Sequence, residues 1–189
     1  MSGCNNTRMR YAFSPKKEQL SDTMRMLWTE HVLWTRAFIV STVFNLSDLS
    51  AVTNRLLRNP SDFADTLTPY YGRSSAVKFA DLLKEHLLIA AQLVNAAKNG
   101  DLAAADVQRR KWYANADDIA AFLAGINPYW SGDIWRSLLY DHLKMTENEA
   151  VQIIKGQYEP SIAQFDDIQK EALVMADYMT EGIIKQMQA

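Results

Sequence analysis

The chain holds three histidines, and each follows an acid in nearly the same apolar frame: LWTEHVL at 27–33, LLKEHLL at 82–88 and LLYDHLK at 138–144. Imidazole and carboxylate together do two kinds of chemistry. They ligate zinc, iron or manganese, the neutral ring binding first and the acid offsetting the cation's charge. Alternatively they enter hydrogen-bonded pairs that hold a buried ring in place, since a buried imidazole needs both nitrogens satisfied. The metal reading names His31, His86 and His142, the flanking acids Glu30, Glu85 and Asp141, and Glu171 as ligands. Trp34, Arg36, Asn59 and Asn115 are the candidate ligand-binding residues. No E-x-x-H or H-x-x-x-H pairing accompanies the histidines: position −3 is Trp28, Leu83 or Leu139, and position +4 is Thr35, Ala90 or Thr146. A metal site would therefore have to be assembled across helices.

Helical spacing settles which way the rings point. The three- and four-step neighbours of His31 are Leu27, Trp28, Trp34 and Thr35; those of His86 are Leu82, Leu83, Ile89 and Ala90; those of His142 are Leu138, Leu139, Met145 and Thr146. Residues three and four apart share a helix face, so all three histidines look inward, while the preceding acid, about 100° round, falls on the flank of the apolar stripe. Arg36, between Val32 and Val40 on an apolar helix, is expected to pair with an acid. Five tryptophans, Trp28, Trp34, Trp112, Trp130 and Trp135, are candidates to line a pocket, although at helical spacing such residues usually form core.

The elements that must position these residues are helices. Apolar positions recur at three and four, glycine and proline number seven and five, and no alternating strand is evident. The expected first helix starts at Ser14-Pro15 and runs to about Asn45. A second begins near Ser47-Asp48 and must kink or restart at Pro60. TPYYG at 68–72 reads as a turn. A third helix covers about 74–98 and stops at Asn99-Gly100, and Asp101 caps a fourth running to Gly125. INPYWSG is the next turn. A fifth helix, interrupted at Thr146 by the capping box TENE, stops near Gly156. Pro160 opens the last, which ends around Gln186.

The histidines lie 55 and 56 residues apart, and Asn59, Asn115 and Glu171 lie 56 and 56 apart. The second set heads related words, NPSDFADTL, NADDIAAFL and EALVMADYM. Gly100 and Gly156 each follow a histidine by 14 residues, with Asn45 in that place in the first unit. Such a period marks stacked helix pairs. The expected fold is an all-α bundle of three helix-hairpin repeats, about six helices with four long ones (first, third, fourth and sixth) forming the core. Residues 1–13 are expected to form a flexible leader, and 14–189 one helical-bundle domain.

Composition bounds the function. Twenty basic against 22 acidic residues, net −2, do not make the basic face that a nucleic-acid binder needs. The one cysteine, Cys4, forms no internal bridge, which fits a cytoplasmic setting. The apolar run AFIVSTVF is too short to span a bilayer. P-loop, dinucleotide and nucleophile-elbow motifs are missing.

The phrases TEHVLWTR, VTNRLLRNPSDFA, EHLLIAAQLV, WYANADDIAAFLAGINPYW and YDHL resemble a group of short bacterial helical proteins of unassigned function, over about residues 25–185. Some of these bear the name acetylglutamate kinase, which does not fit: the amino-acid kinase fold needs a long α/β chain with glycine-rich phosphate loops. The inward acid-histidine pattern is also faintly similar to ferritin-like and hemerythrin-like bundles. The expected role is binding, of a metal or small ligand held in the bundle through inward histidines and flanking acids. The alternative is a self-associating or partner-binding scaffold whose histidines are register pins. No reaction is assigned.

Overall fold

The computed structural model describes residues 15–189; the leader, Cys4 and the Ser14 cap lie outside the described residues. Among the described residues the chain forms six helices and no strand: α1 (Pro15–Phe44), α2 (Leu49–Leu56), α3 (Asn59–Lys98), α4 (Leu102–Ile126), α5 (Gly132–Ile154) and α6 (Tyr158–Gln186). No helix among them is long and apolar enough to cross a membrane.

Several boundaries follow local chemistry. Asp101 accepts a hydrogen bond from Ala104 N at 2.9 Å and opens α4, and Ser131 accepts from Ile134 N at 3.4 Å to open α5. Between them Asn127 makes the turn, its side chain accepting from Tyr129 N and donating to the Tyr71 hydroxyl, both at 2.8 Å.

The break expected at TPYYG (68–72) falls on its last residue: α3 runs on through Pro69 and kinks at Gly72, whose φ of 74° and ψ of 160° suit a residue without Cβ. Two expectations need correcting. α5 runs unbroken through Thr146, because that residue is buried in the core and the helix needs no second cap there. The core also holds five long helices rather than four, since α5 buries Trp135, Leu139, Leu143, Ala150 and Ile153.

Those five close into a ring. α3 packs on α4, α4 on α5, α5 on α6, α6 on α1, and α1 on α3, with α2 laid against α1. Two apolar clusters fill the interior. The larger includes Met24, Trp28, Phe63, Phe79, Trp112, Trp135 and Met175; the smaller includes Phe38, Ile39, Leu56, Leu87, Val94 and Ile153. On α1 and α5 the larger cluster runs up to the turn of the histidine and the smaller follows it. His31 and His142 therefore stand where one core gives way to the other. A buried ion pair, Arg36 with Glu149, ties α1 to α5, and the same guanidinium donates to Ser161 O of α6 at 3.2 Å.

Candidate functional site

Three members of the ring, α1, α3 and α5, each present one histidine to the interior. His31 lies 5.8 Å from His142 and 6.5 Å from His86, ring centre to ring centre, and each of the three is only 2% exposed. Every imidazole meets a polar partner on the following long element. His31 Nδ1 is 3.1 Å from Asn59 Oδ1, His86 Nδ1 2.9 Å from Asn115 Oδ1, and His142 Nδ1 3.2 Å from Glu171 Oε2.

These contacts determine the tautomers. Asn59 Nδ2 donates to Leu27 O at 3.0 Å and Asn115 Nδ2 to Leu82 O at 3.1 Å, so each amide turns its oxygen to the ring. An amide or carboxylate oxygen only accepts, so Nδ1 carries a proton in all three rings, and in His31 and His86 the neutral ring keeps a lone pair on Nε2. Burial, followed by the neighbouring His142, pushes His31 down to about 3. Burial also holds His86 well below the ordinary imidazole range, reinforced by His142 and then His31. Both are neutral near pH 7, as a desolvated base should be.

The remaining candidates disperse. Glu30 bonds Arg55 of α2 at 2.8 Å, and that guanidinium lies over the Trp34 ring at 5.1 Å. Glu85 and Asp141 face solvent. Arg36 is engaged by Glu149 and also stands over the Phe165 ring at 5.1 Å. Of the four acids named as ligands, only Glu171 reaches a histidine. Among the described residues no group of three or more His, Cys, Asp or Glu is placed to hold a metal ion.

One turn beyond each histidine lies a feature that the motifs did not announce. A cavity of about 280 Å³ opens between α1, α3, α4 and α5, and Thr35, Ala90 and Thr146, the residues four past the histidines, all line it. Its other walls are almost wholly aliphatic, from the smaller core cluster, with the Arg109–Glu147 ion pair and Lys155 among its few charges. Trp112 joins the two regions: it lines the cavity, and its ring packs on His86 at 5.1 Å. Trp34, Arg36, Asn59 and Asn115 do not line it. No family model, curated protein or solved structure matches the chain.

Several polar atoms around the histidine layer are buried and lack a partner among the described residues: Trp28 Nε1, Trp112 Nε1, Thr146 Oγ1 and Glu171 Oε1. Trp28 packs on His31 at 5.7 Å, and Glu171 is the carboxylate on His142. Thr35, at the same step from its histidine as Thr146, differs: its hydroxyl donates to His31 O at 2.7 Å. A buried hydroxyl or indole N–H without a partner costs about 1–3 kcal/mol, and of these residues Trp112 and Thr146 line the cavity.

Proposed function

We propose that this protein binds a small, largely apolar ligand in the cavity between α1, α3, α4 and α5, with the histidine layer as its rigid floor. The cavity carries the reading. It is larger than the ~150 Å³ apolar cavity known to admit benzene, it is lined by aliphatic side chains, and ligand pockets between bundle helices have this character. The three imidazoles serve as register pins, each tying its helix to the next by one hydrogen bond.

We further propose that the bundle is built from three copies of a helical hairpin, divided at Gly72 and Asn127. Support comes from the equal spacing, from the His-to-partner bonds, which span 28, 29 and 29 residues, and from the two amides that both donate to the carbonyl four residues before their histidine. The residue 14 past each histidine, Asn45, Gly100 or Gly156, also has positive φ: 53°, 74° and 71°.

Titration with ethylbenzene, followed by calorimetry or ligand-observed NMR, tests the ligand reading. Saturable binding is expected, and Ala91→Trp, which fills the cavity from its wall, should abolish it. Wild type that shows no saturable uptake rejects the proposal.

One observation favours a second reading. An imidazole braced through Nδ1–H by an amide or carboxylate oxygen has its Nε2 oriented as metal ligands do, and the faint likeness to ferritin-like bundles points the same way. Stoichiometric zinc, iron or manganese in purified protein, lost in His86→Ala with helicity retained, would favour it.

A further inference from the structure

We infer that the ligand is uncharged and carries a carbonyl-type hydrogen-bond acceptor, which it presents to Trp112 Nε1 and Thr146 Oγ1 at the histidine end of the cavity. This inference rests on the cavity being the ligand site.

Two lining residues carry the argument. Trp112 is 2% exposed and Thr146 4% exposed, and the indole nitrogen and the hydroxyl are both buried without a partner. An indole N–H only donates, and a hydroxyl can turn to donate. A guest oxygen with two lone pairs accepts from both, whereas a hydrocarbon leaves both donors unmet. Thr35, the third polar lining residue near this end, is not available, because its hydroxyl is spent on His31 O at 2.7 Å.

Charge decides between a carbonyl and a carboxylate. No ring at this end offers an unbalanced cation: His86, against which Trp112 packs, and His31 are held neutral by burial and by the neighbouring His142, while His142, one turn before Thr146, already has the Glu171 carboxylate at 3.2 Å. Arg109, a cavity-lining cation, is already bonded to Glu147 at 2.8 Å and to Asp106 at 3.3 Å, so its charge is balanced. Lys155 lines the cavity as well but is solvent-exposed. A carboxylate driven to the Trp112–Thr146 end would be buried with no counter-charge, and that penalty far exceeds two hydrogen bonds. An aldehyde, ketone, ester or amide oxygen suffers no such penalty. The ligand class is therefore a compact apolar body with one neutral acceptor at its inner end.

The test compares acetophenone, ethylbenzene and benzoate, which have similar bodies and differ in the polar group, on wild type and on Thr146→Val. Valine keeps the shape and removes the hydroxyl, and the variant's melting transition confirms that it folds. The expected results are saturable binding of acetophenone to wild type, weakened about five-fold in Thr146→Val, and ethylbenzene binding that stays the same or tightens. Benzoate should bind at least about ten-fold more weakly than acetophenone near neutral pH. Benzoate binding as tightly as acetophenone, or a Thr146→Val change that shifts acetophenone and ethylbenzene alike, overturns the inference while leaving the cavity as a ligand site. If none of the three probes binds wild type, the cavity reading fails and this inference with it.

Discussion

His142 donates its Nδ1–H to Glu171 Oε2 at 3.2 Å, where the other two histidines donate to asparagine amides, and the second carboxylate oxygen is buried without a partner. The carboxylate is the exception among the three pairs, and its replacement separates geometry from charge. Glu171→Gln keeps an oxygen for the ring and removes a poorly solvated charge, so stability should hold or rise. Glu171→Ala leaves His142 Nδ1–H unpaired and should cost about 1–3 kcal/mol. Urea unfolding of both variants measures this, and equal losses would mean that charge rather than hydrogen bonding matters there.

His86 and Asn115 should be energetically coupled. Removing either partner leaves the other buried and unmet, and Asn115→Ala also strips a donor from Leu82 O. Each single alanine variant should lose about 1–3 kcal/mol, and the double variant less than the sum, by a coupling of about 0.5–3 kcal/mol. Strict additivity in the double-mutant cycle would show that the 2.9 Å contact contributes nothing.

Acid should loosen the fold before carboxylate titration dominates. His31 falls from 6.5 to about 3 on folding, so the unfolded chain binds the proton more readily between those values. Stability is then complete above about pH 6.5 and declines as the pH falls towards 3. At about pH 5 this one group costs about 2 kcal/mol, and His86 adds a loss of the same sign. Glu149, raised by burial in spite of Arg36, acts oppositely, favouring the fold as the pH falls towards 4.5, but it is one group against two. Melting temperatures from pH 7.5 to 5 should fall, and His31→Asn should flatten the slope.

Thr146→Val should raise the melting temperature of the ligand-free protein. The hydroxyl is buried and unpartnered, so an apolar isostere spares its desolvation, a gain of about 1 kcal/mol. Thr35→Val, whose hydroxyl is bonded, should show no such gain. Opposite signs in thermal denaturation check the distinction, and a gain bought at the cost of acetophenone binding is the usual trade between stability and function.

Gly182→Ala should be among the most damaging changes on α6. A Cβ there would stand 1.9 Å from Trp130 Nε1 and 2.3 Å from its Cδ1, and Trp130 is wedged between Tyr71 at 5.4 Å and Trp135 at 6.1 Å. Overpacking of this kind costs about 1–3 kcal/mol or more, against about 1 kcal/mol gained in helix propensity. Chemical denaturation would show a net loss; a neutral result would mean that Trp130 moves aside freely.

Much of this architecture is local and could be read from the chain. Helix ends at Asn99-Gly100, Asp101 and Gly156 follow from backbone groups seeking partners within a few residues, and the inward turn of the histidines follows from periodicity alone. The flanking acids were legible only as to side. One step from a histidine puts them on the rim of the buried stripe, but Glu30 met Arg55 because α2 lies against α1, whereas Glu85 and Asp141 met solvent.

Tertiary structure alone decided the rest. That α3 runs on through Pro69 and breaks at Gly72, the last residue of TPYYG, depends on what α3 packs against, because proline near the end of a helical stretch is tolerated wherever its lost bond is cheap. Thr35 and Thr146 occupy the same step after a histidine, yet one hydroxyl bonds its own helix and the other does not, a difference set by rotamer and surroundings. The cavity has no sequence signature at all, since its volume is a residue of imperfect filling among four helices far apart in the chain. Periodicity dictates which side chains face inward; only their packing together determines where space is left over.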